Sequence, residues 1–346
     1  KFIKILPGAF LLLFLFFSSV SLFNSGPYLR ISLYALVIKW TRYIMTCVII
    51  QDSLYESKVI RRGLLVFLTG AFLAILSGLS QYFFNFEFIW RHQLAVMDLG
   101  WYAVTSSFNY YNDFGAYLVV VLALTTTLLA ADSYFGIRAA GLLLFSMIAS
   151  AVIMLTFSRG SWVAISCSFI LISVFYRKNL WRLIPVFTVM FAMLFIPEIR
   201  ERLCLTFSIG SDAGRFKYWK AAMDMVMDHP IIGIGLGTFM ANFSKYLPGI
   251  NICYAHNCFL QIWAESGFLS LASFVGFIGS IFYIAVRSFM TYRSSLLLGL
   301  LAGAFGFIVH SFFDTNLYSL QLAVLFWVWA GIILRLCRSR TSPSNT

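Results

Sequence analysis

Three side chains in this sequence combine residue type and surroundings suited to chemistry on an anionic substrate: Arg159, Arg215 and His256. Arg159 stands in TFSRGSW, where two apolar runs meet. A tight turn accounts for the serine and glycine there but not for the arginine, whose guanidinium can fork two parallel hydrogen bonds to phosphate oxygens. Arg215 follows Gly214 at the start of an apparent helix, RFKYWKAAMDMVMDH. A helix N-terminus adds its own partial positive charge, so this arginine is the candidate for direct contact with a diphosphate. His256 precedes the run CFLQIWAESGFL, where a polar loop re-enters an apolar segment beside a cationic cluster. Those cations are expected to keep the imidazole neutral, and a neutral imidazole can take a proton from a hydroxyl near neutral pH.

The other polar candidates have competing structural roles. Lys217 and Lys220 share the helix of Arg215, and Phe216, Trp219, Met223 and Val226 recur on it at helical spacing. The helix is expected to lie in a membrane interface, with this aromatic stripe in lipid and the lysines either at lipid-phosphate level or on the substrate diphosphate. His310 and Asp314 are spaced i, i+4, a spacing compatible with a shared helix face, and either a mutual hydrogen bond or a role in sugar binding or in supporting the site fits them. Asn109, Asn112 and Asn257 are candidates for sugar hydroxyls or for support of the site, while Asp113 reads as a helix cap. Glu265, further along the run after His256, is expected to pair with a cation inside a helix bundle.

Two familiar chemistries do not fit the pattern. GIGLGTF at 233–239 is a G-x-G-x-G pattern lacking the preceding strand and the acidic residue of a dinucleotide site, so its glycines are read as permitting close backbone approach. The polar segments hold no HExxH and no paired acidic motif, and Cys253, His256 and Cys258 lack established zinc spacing. No metal and no cofactor is expected.

The elements that must position these residues follow from composition. The chain is 61% hydrophobic and 11% charged, whereas soluble domains are about one quarter charged. Its apolar runs of about 20 residues match a bilayer core and do not alternate as barrel strands do. The expected fold is all-α and polytopic, with about ten spans near 5–23, 29–50, 64–84, 114–131, 139–157, 160–176, 182–197, 259–286, 296–313 and 318–336. The whole chain, 1–346, reads as a single transmembrane domain.

The net charge of +12 is a second guide. A membrane accounts for it better than nucleic acid does, because many of the cations flank spans on one side. These are Lys58, Arg61, Arg62, Arg177, Lys178, Arg182, Arg287, Arg293, Arg335, Arg338 and Arg340. Alternating spans put all of them on the cytoplasmic side, with membrane lipids as their partners. The 85–113 loop, the 158–160 turn, a 198–258 loop between spans seven and eight, and the 310–316 turn then emerge together on the outer face. Lys39 and Arg42 interrupt the second span and are expected to snorkel to cytoplasmic headgroups.

The ordered series FNYYNDFGAYL, TFSRGSW, GRFKYWKAAMDMVMDHPIIGIGLGTF, AHNCFLQIWAESGFL and HSFFDT, over residues 108–314, resembles the O-antigen ligase and polymerase superfamily. The resemblance implies an inverting, metal-independent glycosyltransferase of GT-C type in a bacterial inner membrane, with its active site on the periplasmic face. Its donor would be a glycan on undecaprenyl diphosphate, and its acceptor another glycan, lipid A-core or protein, as in lipopolysaccharide or exopolysaccharide synthesis. Carried over residue by residue, it implies that Arg159 and Arg215 bind the donor diphosphate and that His256 activates the acceptor hydroxyl. The rival class is a transporter or flippase of polyprenyl-linked glycans. Such proteins place charges near the bilayer midplane on related halves, whereas here no internal repeat is visible and the cations gather at one face.

Overall fold

The computed structural model describes residues 6–53, 57–86, 95–96, 102–131, 136–176, 179–205, 213–250 and 254–338. Arg177, Lys178, Cys253 and Arg340 lie outside the described residues. In chain order the helices begin with α1 (Leu6–Val20), α2 (Leu29–Tyr34), α3 (Thr41–Ser53), α4 (Ser57–Phe84) and α5 (Tyr111–Ala131). They continue with α6 (Ile137–Leu155), α7 (Arg159–Phe175), α8 (Ile184–Met193), α9 (Pro197–Cys204) and α10 (Ala213–Asp228). The last are α11 (Phe239–Tyr246), α12 (Cys258–Tyr292), α13 (Ser295–His310) and α14 (Leu320–Arg338). A π-helical turn, Ala35–Trp40, joins α2 to α3. The protein is all-α and polytopic; the strand content described is a two-rung antiparallel ladder pairing Ala95 with Ala103 and Val96 with Tyr102.

Each of the ten expected spans coincides with a helix or a bent helix pair. Among the described residues, seven helices are long and apolar enough to cross a membrane, so the expected ten needs qualification. Two of the remainder, α7 and α13, are too short by that measure. The third is bent by 87° between the segment 180–193 and α9, where Pro197 opens the new helix. Proline tolerates this first-turn position because its missing N–H would be unpaired there anyway.

The chain forms two compact units. The first comprises 1–53, 212–290 and 311–346. Its core is aromatic: Phe14 meets Trp40 at 5.0 Å and Phe274 at 5.4 Å, and Phe277 stacks on Trp327 at 5.3 Å. α3 runs beside α14, closely enough that a Cβ on Gly331 would press on the Cys47 carbonyl and Ile50. Arg338 closes the far end of this pair on Asp52 at 2.8 Å.

The central feature of this unit is a break in α12. Gly267 has φ +81°, so the helix stops and restarts there. The orphaned carbonyls are not left bare: Ala264 O accepts from Ile234 N and Glu265 O from Gly235 N, both at 2.9 Å, while Phe268 N donates to Pro230 O. The GIGLG loop is therefore stitched into the break. Its glycines at 233, 235 and 237 all have positive φ. A Cβ on Gly233 would strike the backbone of Glu265–Ser266. Close backbone approach, not nucleotide binding, explains these glycines.

The second unit comprises 54–211 and 291–310. α5 is its axis and is buried on nearly every side. Small residues bring helices close to it: Gly299 faces Leu124, and Gly306 faces Val119 and Ser168. Ser168 Oγ donates to Ala302 O at 3.0 Å, an interhelical bond of the kind that holds helices together in lipid. The Thr125, Thr126 and Thr127 hydroxyls are satisfied by donating back along their own helix. Ahead of α5, Gln81 Oε1 accepts from Thr105 N and Ser106 N, fixing the incoming loop.

Candidate functional site

In the first unit, His256 is held by contacts distant in sequence. Its backbone is left-handed, with φ +48°, and its ring is part-exposed at 31%. Nδ1 lies 3.0 Å from Asp314 Oδ1, 58 residues away in sequence. Asp314 Oδ1 also accepts from Thr315 N at 2.8 Å, which fixes the carboxylate. With Nδ1–H donating to Asp314, Nε2 is left as the proton acceptor. This corrects two expectations. His256 meets a carboxylate where only flanking cations were expected, and that carboxylate stabilises the positive charge that the imidazole acquires on taking a proton. α13 also ends at His310, so His310 and Asp314 share no helix face.

The following residues build the support. Asn257 Oδ1 accepts from Phe259 N and Leu260 N, both at 3.0 Å, and so caps α12. Cys258 N donates to Ser311 O at 2.8 Å, and its thiol donates to Asp314 O. The first turn of α12 is thus tied to the loop that carries Asp314.

α10 brings Arg215 toward the same place. The Tyr218 ring lies 5.9 Å from the His256 ring at a 33° tilt. Arg215 is three residues earlier, on the same helix face, and is half-buried. The buried side of α10 consists of Ala221, Ala222, Met225 and Val226, packed with Phe239, Phe243 and Ala264. The expected stripe is therefore split. Val226 belongs to this core, whereas Phe216 is 64% and Met223 41% exposed. Lys217 and Lys220 are exposed too and lie away from the Tyr218 face. Tyr246 on α11 ties back to α10 by donating to Asp228 at 2.8 Å. Burial first and that bond second push its phenol up to about 12.

A second polar cluster adjoins His256 through Ala255. Ala255 N donates to Gln261 Oε1 at 3.2 Å, and Gln261 Nε2 donates to Glu265 Oε1 at 3.2 Å. Glu265 Oε2 accepts from Gly237 N at 2.9 Å and from the Tyr318 hydroxyl at 3.0 Å. A cation, Lys39, is close enough for Glu265 to act on it electrostatically, but the carboxylate's described hydrogen bonds come from neutral donors. Burial and the adjacent Glu265 hold the Tyr318 phenol well above the ordinary tyrosine range, so it remains a donor.

In the second unit, Ser158 is the N-cap of α7, accepting from Ser161 N, and Arg159 is the first helical residue, half-buried. His310 is buried, with Nε2 3.5 Å from Ser158 Oγ. A Cβ on Gly115 would strike Ser161 and Ser158, so the start of α5 packs on the start of α7. Asn112 is half-buried in that first turn of α5, and Asn109 is exposed just before it. Asp113 lies inside the turn as a helix-dipole partner, not at the cap position. Arg159, His310 and Asn112 thus gather at one end of this unit, while His256, Asp314, Arg215 and Glu265 gather in the other.

Sequence reasoning missed Tyr218, Gln261 and Tyr318 as parts of the site, and it did not link Asp314 to His256. No spacing rule links residues so far apart in the chain; only the conspicuous polarity of these positions between apolar runs signalled them. Among the described residues, no group of three His, Cys, Asp or Glu could hold a metal ion, and Cys204 and Cys258 are free thiols.

A family model described as O-antigen ligase matches residues 142–275, from α6 through the break in α12. The matched region contains Arg159, Arg215, His256 and Glu265. A search of curated proteins finds no match.

Proposed function

We propose, from the match of residues 142–275 to the family model described as O-antigen ligase, that this multi-pass membrane protein is an inverting, metal-independent glycosyltransferase. Its donor is a glycan on undecaprenyl diphosphate, and it works at the periplasmic face of a bacterial inner membrane. The acceptor is a hydroxyl of another glycan, of lipid A-core or of protein. The observation that carries the reading is the His256–Asp314 pair, flanked by Tyr218 from α10, whose first turn carries Arg215.

The chemistry follows from charge and geometry. The acceptor oxygen attacks the anomeric carbon, a new glycosidic bond forms, and the bond to the lipid diphosphate breaks. His256 Nε2 takes the acceptor's proton while Asp314 holds Nδ1–H and stabilises the resulting imidazolium. Negative charge builds on the departing diphosphate, and the guanidinium of Arg215 offsets it. Attack on the face opposite the leaving group inverts the anomeric centre. Arg159 enters as a separate anion-binding position at the start of α7, to be tested by its own substitution. Asn257 serves the reaction by capping the helix beside the base, and Lys217 and Lys220 serve the membrane surface.

The test is purified full-length protein with lipid-linked donor and acceptor in the presence of a chelator. A new glycosidic bond of inverted configuration, lost in His256→Ala, is the expected result. Movement of donor across a bilayer without bond formation overturns the reading in favour of transport. Deleting the gene in the native host then separates the subclasses. Single repeat units accumulating on the carrier mark a polymerase; long chains stranded on it mark a ligase.

A further inference from the structure

The Lys39 ammonium and the Glu265 carboxylate share one end of the first unit without forming a salt bridge. Glu265 is saturated by Gly237 N, the Tyr318 hydroxyl and Gln261 Nε2. Lys39 Nζ lies 4.9 Å from the centroid of the Tyr318 ring, within cation–π range. It makes no hydrogen bond and no ion pair with any described residue. Three N–H donors on a half-buried ammonium are therefore available to an acceptor that no described residue supplies.

The position of this lysine is unusual in two further respects. It sits in the π-helical turn Ala35–Trp40, and such local widening of a helix is frequent at functional sites. It also lies at the opposite end of α3 from the Asp52–Arg338 pair, some 20 Å away at the rise of a helix. The expected snorkelling of Lys39 to cytoplasmic headgroups is thus replaced by a contact at the His256 end. Tyr318, under the ammonium, meets Tyr254 at 6.2 Å, and Tyr254 is two residues from His256. One aromatic pair separates the cation from the proposed base.

We infer that Lys39 is a substrate-binding residue whose ammonium contacts a phosphoryl oxygen of the lipid diphosphate, with Tyr318 as its platform. The inference rests on the glycosyltransferase reading and adds a ligand from the N-terminal helices, outside the region matched by the family. A lysine in an apolar helix is costly, and a bound dianion offsets that cost better than a carboxylate already occupied by three neutral donors.

The competing structural role is a counter-charge for Glu265, and a double substitution separates the two. Undecaprenyl diphosphate and uncharged undecaprenol are bound in turn to the full chain in lipid nanodiscs. Wild type is expected to prefer the diphosphate, and Lys39→Met to lower that preference about tenfold or more. Lys39→Arg should keep most of it, and Glu265→Gln all of it. The Lys39→Met/Glu265→Gln double variant removes both charges, so it avoids stranding a buried carboxylate. It is expected to bind diphosphate as poorly as Lys39→Met. Wild-type preference in the double variant makes Lys39 a counter-charge and overturns the inference, as does unchanged binding by a folded Lys39→Met. A wild type that does not prefer diphosphate over undecaprenol overturns the donor reading itself, and this inference with it.

Discussion

The His256 region and the Arg159 turn both present a functional candidate beside a helix start, yet they are assembled differently. The backbone at Arg159 is set mainly by its own neighbourhood: Ser158 caps α7 through Ser161, three residues on, with His310 and the start of α5 packed beside it. His256 is held from afar, by Asp314 at 58 residues and by the Tyr218 ring from α10. A local assembly tolerates changes elsewhere in its unit. A long-range assembly fails when any one of several segments moves. The comparison predicts that damage at a distance falls on His256 function before it reaches Arg159.

The largest effect tests whether the long-range region holds the chemistry at all. His256→Ala is expected to lower transfer by about 10²–10⁴-fold, the range for loss of a general base, with binding of the lipid-linked donor preserved. Asp314→Ala should follow in the same direction with a smaller loss, because the ring keeps its basic nitrogen but loses its orientation. Asp314→Asn can still accept from Nδ1–H, so it should fall between Asp314→Ala and wild type. Equal rates for Asp314→Ala and wild type would detach the carboxylate from the mechanism and leave His256 acting alone.

The next effect tests how the region is built. Gly267→Ala places a Cβ against the Ile231 carbonyl at φ +81°. The backbone strain alone is worth about 1–3 kcal/mol, and the overlap adds to it. The variant is expected to unfold at lower temperature in detergent and to lose transfer, because the GIGLG loop that donates to Glu265 is displaced. A weaker effect is expected on the other side of the comparison. Ser158→Ala removes a single cap, worth about 1 kcal/mol, and should lower the melting temperature slightly with transfer largely kept. If Ser158→Ala proves the more damaging of the two, the contrast between local and long-range assembly is wrong.

This difference also governs what could be read in advance. The spans were legible because an apolar run of sufficient length has few alternatives to a membrane helix. Arg159 was legible because Ser, Arg and Gly at a junction of two runs describe a turn on their own. The glycines of 233–237 were legible as close-approach positions, although their partner, the break at Gly267, was not. Asp314 was noticed but linked in sequence only to His310, because helical spacing is the one such rule a sequence displays, and α13 stops too early to use it. Lys39 was read as a snorkelling cation because nothing in its own helix shows that Tyr318 and Glu265 lie beside it. Contacts made by the fold leave no periodicity behind.

The smallest expected effect sharpens the same point on a single helix. α10 has two faces: Tyr218, Ala222 and Met225 turn inward, while Lys217 and Lys220 are exposed with Phe216 and Met223. The inward face carries Arg215 toward His256, and the outward face is an amphipathic surface suited to lipid headgroups. Replacing both lysines by alanine should leave transfer within about twofold, because rim charges act mainly through salt-dependent association. The Arg215→Ala change, one helix turn from Tyr218 on the inward face, should cost about 10²–10³-fold, as loss of a fixed charge at a developing anion does. Assaying both variants in vesicles with and without anionic lipid separates the faces. A lysine-to-alanine effect that disappears without anionic lipid assigns the outward face to the membrane. One that persists in neutral lipid, and equals the effect of Arg215→Ala, would place both faces of the helix on the substrate.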